Sequence, residues 1–367
     1  MKVNFLDLKS QYLSIKPEID GAIQNVLDKT AFAAGPFVKE FEENFAKAQG
    51  AKYCVGVNSG TAALHIAFMA ADIKHGDEVI VPANTFFATP EAVSLSGATP
   101  VFVDNENLFY NIDPLKIEDA ITAKTKAIVA VNLYGQPAQL DIVKAIADKH
   151  KLLFIEDCAQ SHLATYHGKP TGTYGIMGCF SFYPGKNLGA YGEGGAVITD
   201  DELLYKKMMA LRDHGSSRKY FHDYIGHNYR LEGIQGAVLN VKLKHLPAWT
   251  ETRRKNAGYY KQYLAGIKDV IVPQEIEGAY SVYHLFVVRV PRREELAQFL
   301  QENGIYTGIH YPIPCHRQKA YDFLGYAEGS FPVAEKYAKE IISLPMSEQL
   351  KEEEIQYVCG KIREFYG

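Results

Sequence analysis

Apolar and polar positions recur along this chain with two different periods. Residues 17–28 place Ile19, Ala22, Ile23, Val26 and Leu27 at helical spacing, and residues 37–48 repeat the pattern with Phe37, Phe41, Phe45 and Ala48. Short apolar runs follow at 53–57, 78–81, 101–103, 127–131 and 152–155, each reading as a strand. Helical stretches at 61–71, 87–95 and 140–150 separate them. Strands that alternate with helices predict an α/β fold with a mostly parallel, covered central sheet.

The pattern changes after Tyr166. Residues 180–183 and 195–199 read as closely spaced strands around a glycine-rich connection, and 202–211 as a helix. The polar, aromatic stretch 212–230 is too long for an ordinary connector and is expected to be functional. Helix returns over 235–264. Beyond Lys268 come a strand at 283–290, a helix at 294–302 and terminal helices, a second α+β unit. The expected division is 1–250 for an N-terminal helical segment with a large domain, and 251–367 for a small C-terminal domain. The length of 367 residues fits two domains at roughly 150 residues each.

Composition narrows the function. Hydrophobic residues make up 47% and charged residues 22%, which excludes general disorder. The net charge of -4 leaves no basic excess for bulk nucleic-acid binding. Five cysteines stand far apart without a Cys-x-x-Cys pair, which argues against a disulfide framework or a cysteine zinc site. Residues 1–7 lack the apolar core of a signal peptide. No apolar run approaches the roughly 18 residues of a membrane span. With a mean hydropathy of -0.17, a soluble, cytoplasmic protein is expected.

Four segments carry candidate chemistry. Lys186 follows a short apolar strand, inside sequence where Gly185, Gly189, Gly192, Gly194 and Gly195 would let backbone approach a ligand. A lysine in a partly dry pocket can act as an amine nucleophile; on its own the segment also reads as a turn with an exposed lysine. Asp157 stands just past the strand at 152–155, where open α/β sheets bind ligands. It suits a protonated pyridine nitrogen, or equally a helix cap. The two lie 29 residues apart at successive strand ends, the arrangement that pyridoxal phosphate chemistry requires. Asn58-Ser59-Gly60-Thr61 follows a strand and opens a helix, so its N–H groups and hydroxyls suit a phosphate, or a plain cap. Phe86, just past a strand end, could stack on a planar ring or belong to the core.

In this order and wording, the segments resemble the DegT/DnrJ/EryC1/StrS family of sugar aminotransferases, of the type I aminotransferase fold. The resemblance runs from Phe5-Leu6-Asp7-Leu8 to Ser343-Leu344-Pro345-Met346. It implies pyridoxal 5'-phosphate (PLP) as cofactor and Lys186 as the residue that carries it. It further implies Asp157 at the pyridine nitrogen and Gln160 near the ring hydroxyl. Ser59, Gly60, Thr61 and Ser181 would lie around the phosphate, and Phe86 against the ring. Asn228 would reach the phosphate from the other subunit of a homodimer.

Arg212, Arg218, Lys219 and Arg230 cluster in the long polar stretch, and His310-Tyr311-Pro312-Ile313-Pro314-Cys315-His316 follows a strand. Basic groups with Tyr and His donors suit a nucleotide-sugar diphosphate, while Arg218 and Lys219 read equally as part of a solvated loop. The spacing of His310 and His316 is not that of a helical metal pair, and no metal is expected. By resemblance, Tyr183, Arg230, His310 and Tyr311 are substrate residues. The wording at Tyr134-Gly135-Gln136, Glu156–Ser161 and His310–Pro314 is nearest to members that aminate a 3-oxo sugar. The expectation is transfer of an amino group from L-glutamate to C3 of a dTDP- or UDP-linked oxo-deoxyhexose, for amino-sugar biosynthesis. The alternatives are a C4 aminotransferase, a PLP-dependent sugar dehydratase of the same fold, and a catalytically idle regulatory protein. Family members that dehydrate carry histidine in place of the lysine, and Lys186 is intact.

Overall fold

The computed structural model describes residues 1–367. Its centre is a seven-stranded sheet. The strands in chain order are β1 (Tyr53–Val57), β2 (Glu78–Pro82), β3 (Thr99–Val103), β4 (Thr125–Val131), β5 (Leu153–Asp157), β6 (Met177–Ser181) and β7 (Gly195–Thr199). Their spatial order is β1-β7-β6-β5-β4-β2-β3. Only β7 opposes the rest: it pairs antiparallel with both β1 and β6, while β6-β5-β4-β2-β3 pair parallel. The expectation of a mostly parallel α/β sheet therefore holds. β6 and β7 are buried along their whole length, as a sheet covered on both faces requires.

Helices α1 (Leu8–Ser14), α2 (Lys16–Asp28) and α3 (Pro36–Ala48) precede the sheet. Helices α4 (Gly60–Ala70), α5 (Ala88–Leu95), α6 (Leu140–His150) and α7 (Glu202–Leu211) follow strands and cover them. α4 is apolar on nearly every side because it is almost wholly buried, Ala63, Ile66, Ala67 and Phe68 lying in the largest core cluster with β1, β2, β4 and β6. Ser59 caps α4 by accepting the Ala62 N–H at 3.0 Å.

A single helix, α8 (Gly233–Leu264), runs unbroken through residue 250, where the sequence division falls. Its C-terminal half packs Ala257, Tyr260 and Leu264 into a second core cluster. That cluster also takes Phe286 and Val288 of β8 (Phe286–Arg289), Leu296 and Leu300 of α9 (Arg293–Glu302), and Ile355 and Ile362 of α11 (Glu352–Tyr366). Sequence periodicity misses one strand here, β9 (Ile341–Leu344), which follows α10 (Pro332–Glu340) without a break and pairs antiparallel with β8. The N-terminus joins this region as well, through a Val3–Ile305 bridge.

Candidate active site

The carboxyl ends of the parallel strands open into one cavity of about 620 Å³, within the size range of small-molecule sites. β5 delivers Asp157 and, just beyond, Gln160. β6 ends at Ser181 and leads through Tyr183 to Lys186. β1 leads through Ser59 into Gly60 and Thr61 at the start of α4, and β2 leads to Phe86. His310 and Tyr311 close the cavity from the C-terminal third. These eleven candidates from five separate segments thus line one space.

Lys186 is half-buried in the cavity wall, and loss of water around its amine pushes it down to about 8 against the opposing pull of Asp157. The same burial pushes the Asp157 carboxyl above its ordinary range, while the Ala159 N–H, the Thr89 hydroxyl and Lys186 pull it back. Thr89 Oγ1 donates to Asp157 Oδ2 at 2.8 Å and the Ala159 N–H to Oδ1 at 3.1 Å. Thr85 and Thr89, four residues apart at the entry to α5, share a 2.9 Å bond that extends this support. Gln160 is fixed at both ends: Oε1 accepts the Tyr134 N–H at 2.6 Å, and Nε2 donates to the Tyr311 hydroxyl at 3.2 Å. The Phe86 and Tyr311 rings lie 5.5 Å apart at the cavity edge. His310 is held through Nδ1 to Ser343 Oγ at 2.8 Å and stacks on Phe5. Burial pushes its imidazole down to about 4, so it is neutral at neutral pH.

The cavity fits a phosphorylated pyridine with an aldehyde. At one end the Gly60 and Thr61 N–H groups have no helical acceptor, and the Thr61 and Ser181 hydroxyls stand beside them. This end depends on a close approach: a Cβ on Gly60 would lie 2.5 Å from Ser181 Cβ. The buried Asp157 supplies a counter-charge for a ring nitrogen, Lys186 supplies an amine for the aldehyde, and aromatic and aliphatic side chains form the walls.

Two predicted residues stand elsewhere. Asn228 and Arg230 lie on an extended segment outside the cavity of their own chain, Asn228 in a backbone bridge with Asp213 and Arg230 paired with the Asp213 carboxylate. Two readings of the sequence need correction. Arg212 does not face a ligand; it is buried, donates to the Glu42 carboxylate, and bonds the Gly56 carbonyl at 2.8 Å. The glycines after Lys186 mostly admit protein rather than ligand: a Cβ on Gly189 would meet the Pro184 carbonyl at 2.2 Å, and one on Gly195 the Ser59 carbonyl at 2.2 Å. His316 turns away from the cavity to bond Glu335 at 3.0 Å. Among the lining residues that sequence reasoning missed are Thr85, Glu193 and His284. Thr85 carried a faint signal as the i-4 partner of Thr89; Glu193 and His284 carried none.

A lysine and a carboxylate at neighbouring strand ends, beside a helix N-terminus, define a PLP-dependent aminotransferase site on a type I fold. The chain belongs to the DegT/DnrJ/EryC1/StrS aminotransferase family, whose model matches residues 13–363. It is 48% identical over 368 residues to a Geobacillus stearothermophilus protein named as a pleiotropic regulatory protein, covering 100% of this chain and 99% of the relative. It is 43% identical to the dTDP-3-amino-3,4,6-trideoxy-alpha-D-glucose transaminase of Streptomyces venezuelae, covering 99% of this chain and 96% of that one. Among solved structures, that of S. venezuelae DesV in complex with a ketimine intermediate matches with a TM-score of 0.98 at 43% identity, covering 100% of this chain and 98% of that one. No helix is long and apolar enough to cross a membrane.

Proposed function

We propose that this chain is a PLP-dependent aminotransferase that moves an amino group from L-glutamate to C3 of a nucleotide-linked oxo-deoxyhexose. One observation carries the reading: the half-buried Lys186 and the buried Asp157 line the same cavity as Gly60 at the start of α4 and Ser181. The amination at C3 and the dTDP carrier rest on likeness to the S. venezuelae transaminase, and a UDP carrier is the alternative.

Bound PLP supplies an aldehyde carbon that takes up the amino group and a ring that accepts electron density from the substrate. Lys186 holds the cofactor through its amine. Once released, that amine would be the base that moves a proton from the amino donor's α-carbon to the carbon on the far side of the shared nitrogen. General acid–base transfer of this kind contributes roughly 10²–10⁴ in rate. Asp157 keeps the ring nitrogen protonated, and Thr89 and Ala159 hold the carboxylate in place. Gly60, Thr61 and Ser181 bind the phosphate, with Ser59 fixing the helix start. Gln160, held by Tyr134 and Tyr311, keeps the second N–H of its amide for the ring hydroxyl, and Phe86 covers the ring. Tyr183, His310 and Tyr311 hold the sugar nucleotide, His310 as a neutral ring.

Asn228 and Arg230 complete the site of a partner copy in a homodimer, which agrees with their position outside their own cavity. The large part, 1–250, holds the cofactor, and 251–367 brings His310 and Tyr311 to the substrate. The five cysteines are all unpaired and buried, in keeping with work in the reducing cytoplasm.

The test is turnover of paired 3-oxo and 4-oxo nucleotide sugars with L-glutamate. One 2-oxoglutarate for each 3-oxo sugar aminated is expected. Preference for the 4-oxo sugar would overturn the position assigned, and sugar conversion without 2-oxoglutarate would indicate a dehydratase.

A further inference from the structure

Three histidines feel the charge of Lys186: His162 and His284, both buried, and His310, half-buried. His162 Nε2 meets the Ser181 carbonyl at 3.0 Å, behind the cavity wall. His310 bonds a hydroxyl, which accepts either tautomer. His284 alone combines a fixed tautomer with a place in the cavity wall.

The fixing is indirect. Asn187 Nδ2 donates to the Val282 carbonyl at 3.0 Å. Only the NH₂ end can face a carbonyl, so the amide orientation is set and Oδ1 faces His284 Nδ1 at 3.2 Å. An acceptor at that place requires a proton on Nδ1. Burial keeps the ring neutral, pushing it well below the ordinary histidine range, with Lys186 and Arg253 acting in the same sense. A neutral ring with its proton on Nδ1 has a bare lone pair at Nε2. The main chain is held too: the Arg253 guanidinium donates to the Tyr283 and His284 carbonyls at 3.3 and 3.4 Å. Asn187 directly follows Lys186, so the ring is tied to the lysine's own loop.

We propose that His284 is a positioning residue for Lys186, its Nε2 accepting a hydrogen bond from the lysine nitrogen when that nitrogen is free and protonated. The inference rests on the reading of Lys186 as the catalytic amine. The other groups near the lysine have partners of their own, and His162, whose Nδ1 is unpartnered, lies outside the cavity lining. Asp157 accepts from Thr89 and Ala159, His162 bonds Ser181, and His310 bonds Ser343. His284 then holds the amine in place between the two half-reactions.

The test reads the nitrogen itself. Protein loaded with pyridoxamine phosphate is acetylated competitively across a pH series, and Lys186 labelling is followed by peptide mass spectrometry. His284→Asn keeps a donor at the Nδ1 place and loses the acceptor at Nε2. Its labelling midpoint is expected to fall by about one pH unit, because the protonated amine loses a partner. The sugar half-reaction is expected to slow by about tenfold. His284→Gln, with an oxygen near the Nε2 place, is expected to recover part of both. Asn187→Ala frees the tautomer and is expected to lower the midpoint as well, which provides a second route should His284→Asn fold poorly. Midpoints equal to wild type in His284→Asn and Asn187→Ala would overturn the proposal. Labelling needs no turnover, so this failure is distinct from that of the functional reading, which active Lys186→Ala would overturn.

Discussion

A Cβ on Gly60 would stand 2.5 Å from the Cβ of Ser181, so the first turn of α4 and the end of β6 meet at a distance that only glycine permits. Gly60→Ala must push the helix start away from Ser181. Overpacking of this kind costs about 1–3 kcal/mol, which is expected to weaken cofactor binding by about tenfold to a hundredfold. Equilibrium dialysis with PLP measures it. Unchanged affinity would mean that the phosphate lies elsewhere.

Asp157→Asn keeps the shape of the carboxylate and removes its charge. Turnover is expected to fall by roughly 10²–10³, the scale of losing one placed electrostatic group. Cofactor content, read by absorbance after gel filtration, is expected to stay near wild type. Full activity in this variant would remove Asp157 from its role at the ring nitrogen.

Lys186 gives a pH-dependent stability effect whose sign follows from burial. Its amine sits at about 8 in the folded chain against an ordinary 10.5. Between those values the unfolded chain binds the extra proton, so the stability of the cofactor-free protein rises with pH across that window. Below it the full penalty stands, at most about 3 kcal/mol. Lys186→Met is therefore expected to raise the melting temperature of the cofactor-free protein at pH 7, with the gain shrinking above pH 8. A gain that grew with pH would contradict an amine whose protonation is opposed in the folded chain.

Arg212 and Glu42 form a buried ion pair. Arg212→Met leaves the Glu42 carboxylate without its partner and is expected to cost about 3–5 kcal/mol in stability. The KM for the sugar nucleotide is expected to stay unchanged at a temperature where the variant remains folded. Urea denaturation and steady-state kinetics separate the two. A large KM effect without lost stability would restore the arginine to the substrate.

Subunit mixing tests the shared site. Lys186→Ala chains lack the amine, and Asn228→Asp chains place a negative charge beside a partner's phosphate. Each alone is expected to be inactive. In mixed dimers one site has both a lysine from one chain and an asparagine from the other, so refolding an equal mixture is expected to restore about a quarter of wild-type turnover. No recovery would place Asn228 in its own chain's site or remove the dimer.

Local sequence determined a good deal here. Strand and helix periods were legible from 17 to 211 because each covered strand is a short apolar run and each helix an amphipathic or fully apolar stretch. The β9 strand was not legible: four residues directly after a helix carry no period of their own, and only pairing with β8 makes them a strand. The wording around Lys186, Asp157 and Gly60 determined the family and cofactor, because that chemistry needs those residue types at strand ends. Tertiary structure decided what each polar side chain faces. Arg212 and Arg230 look alike in sequence, yet one is buried against Glu42 and the other lies outside the cavity with Asp213. Thr89 supports Asp157 across 68 residues, and His284 meets Asn187 across 97. Such partners are set by where the sheet and the second core cluster bring distant segments together, information that no local pattern holds.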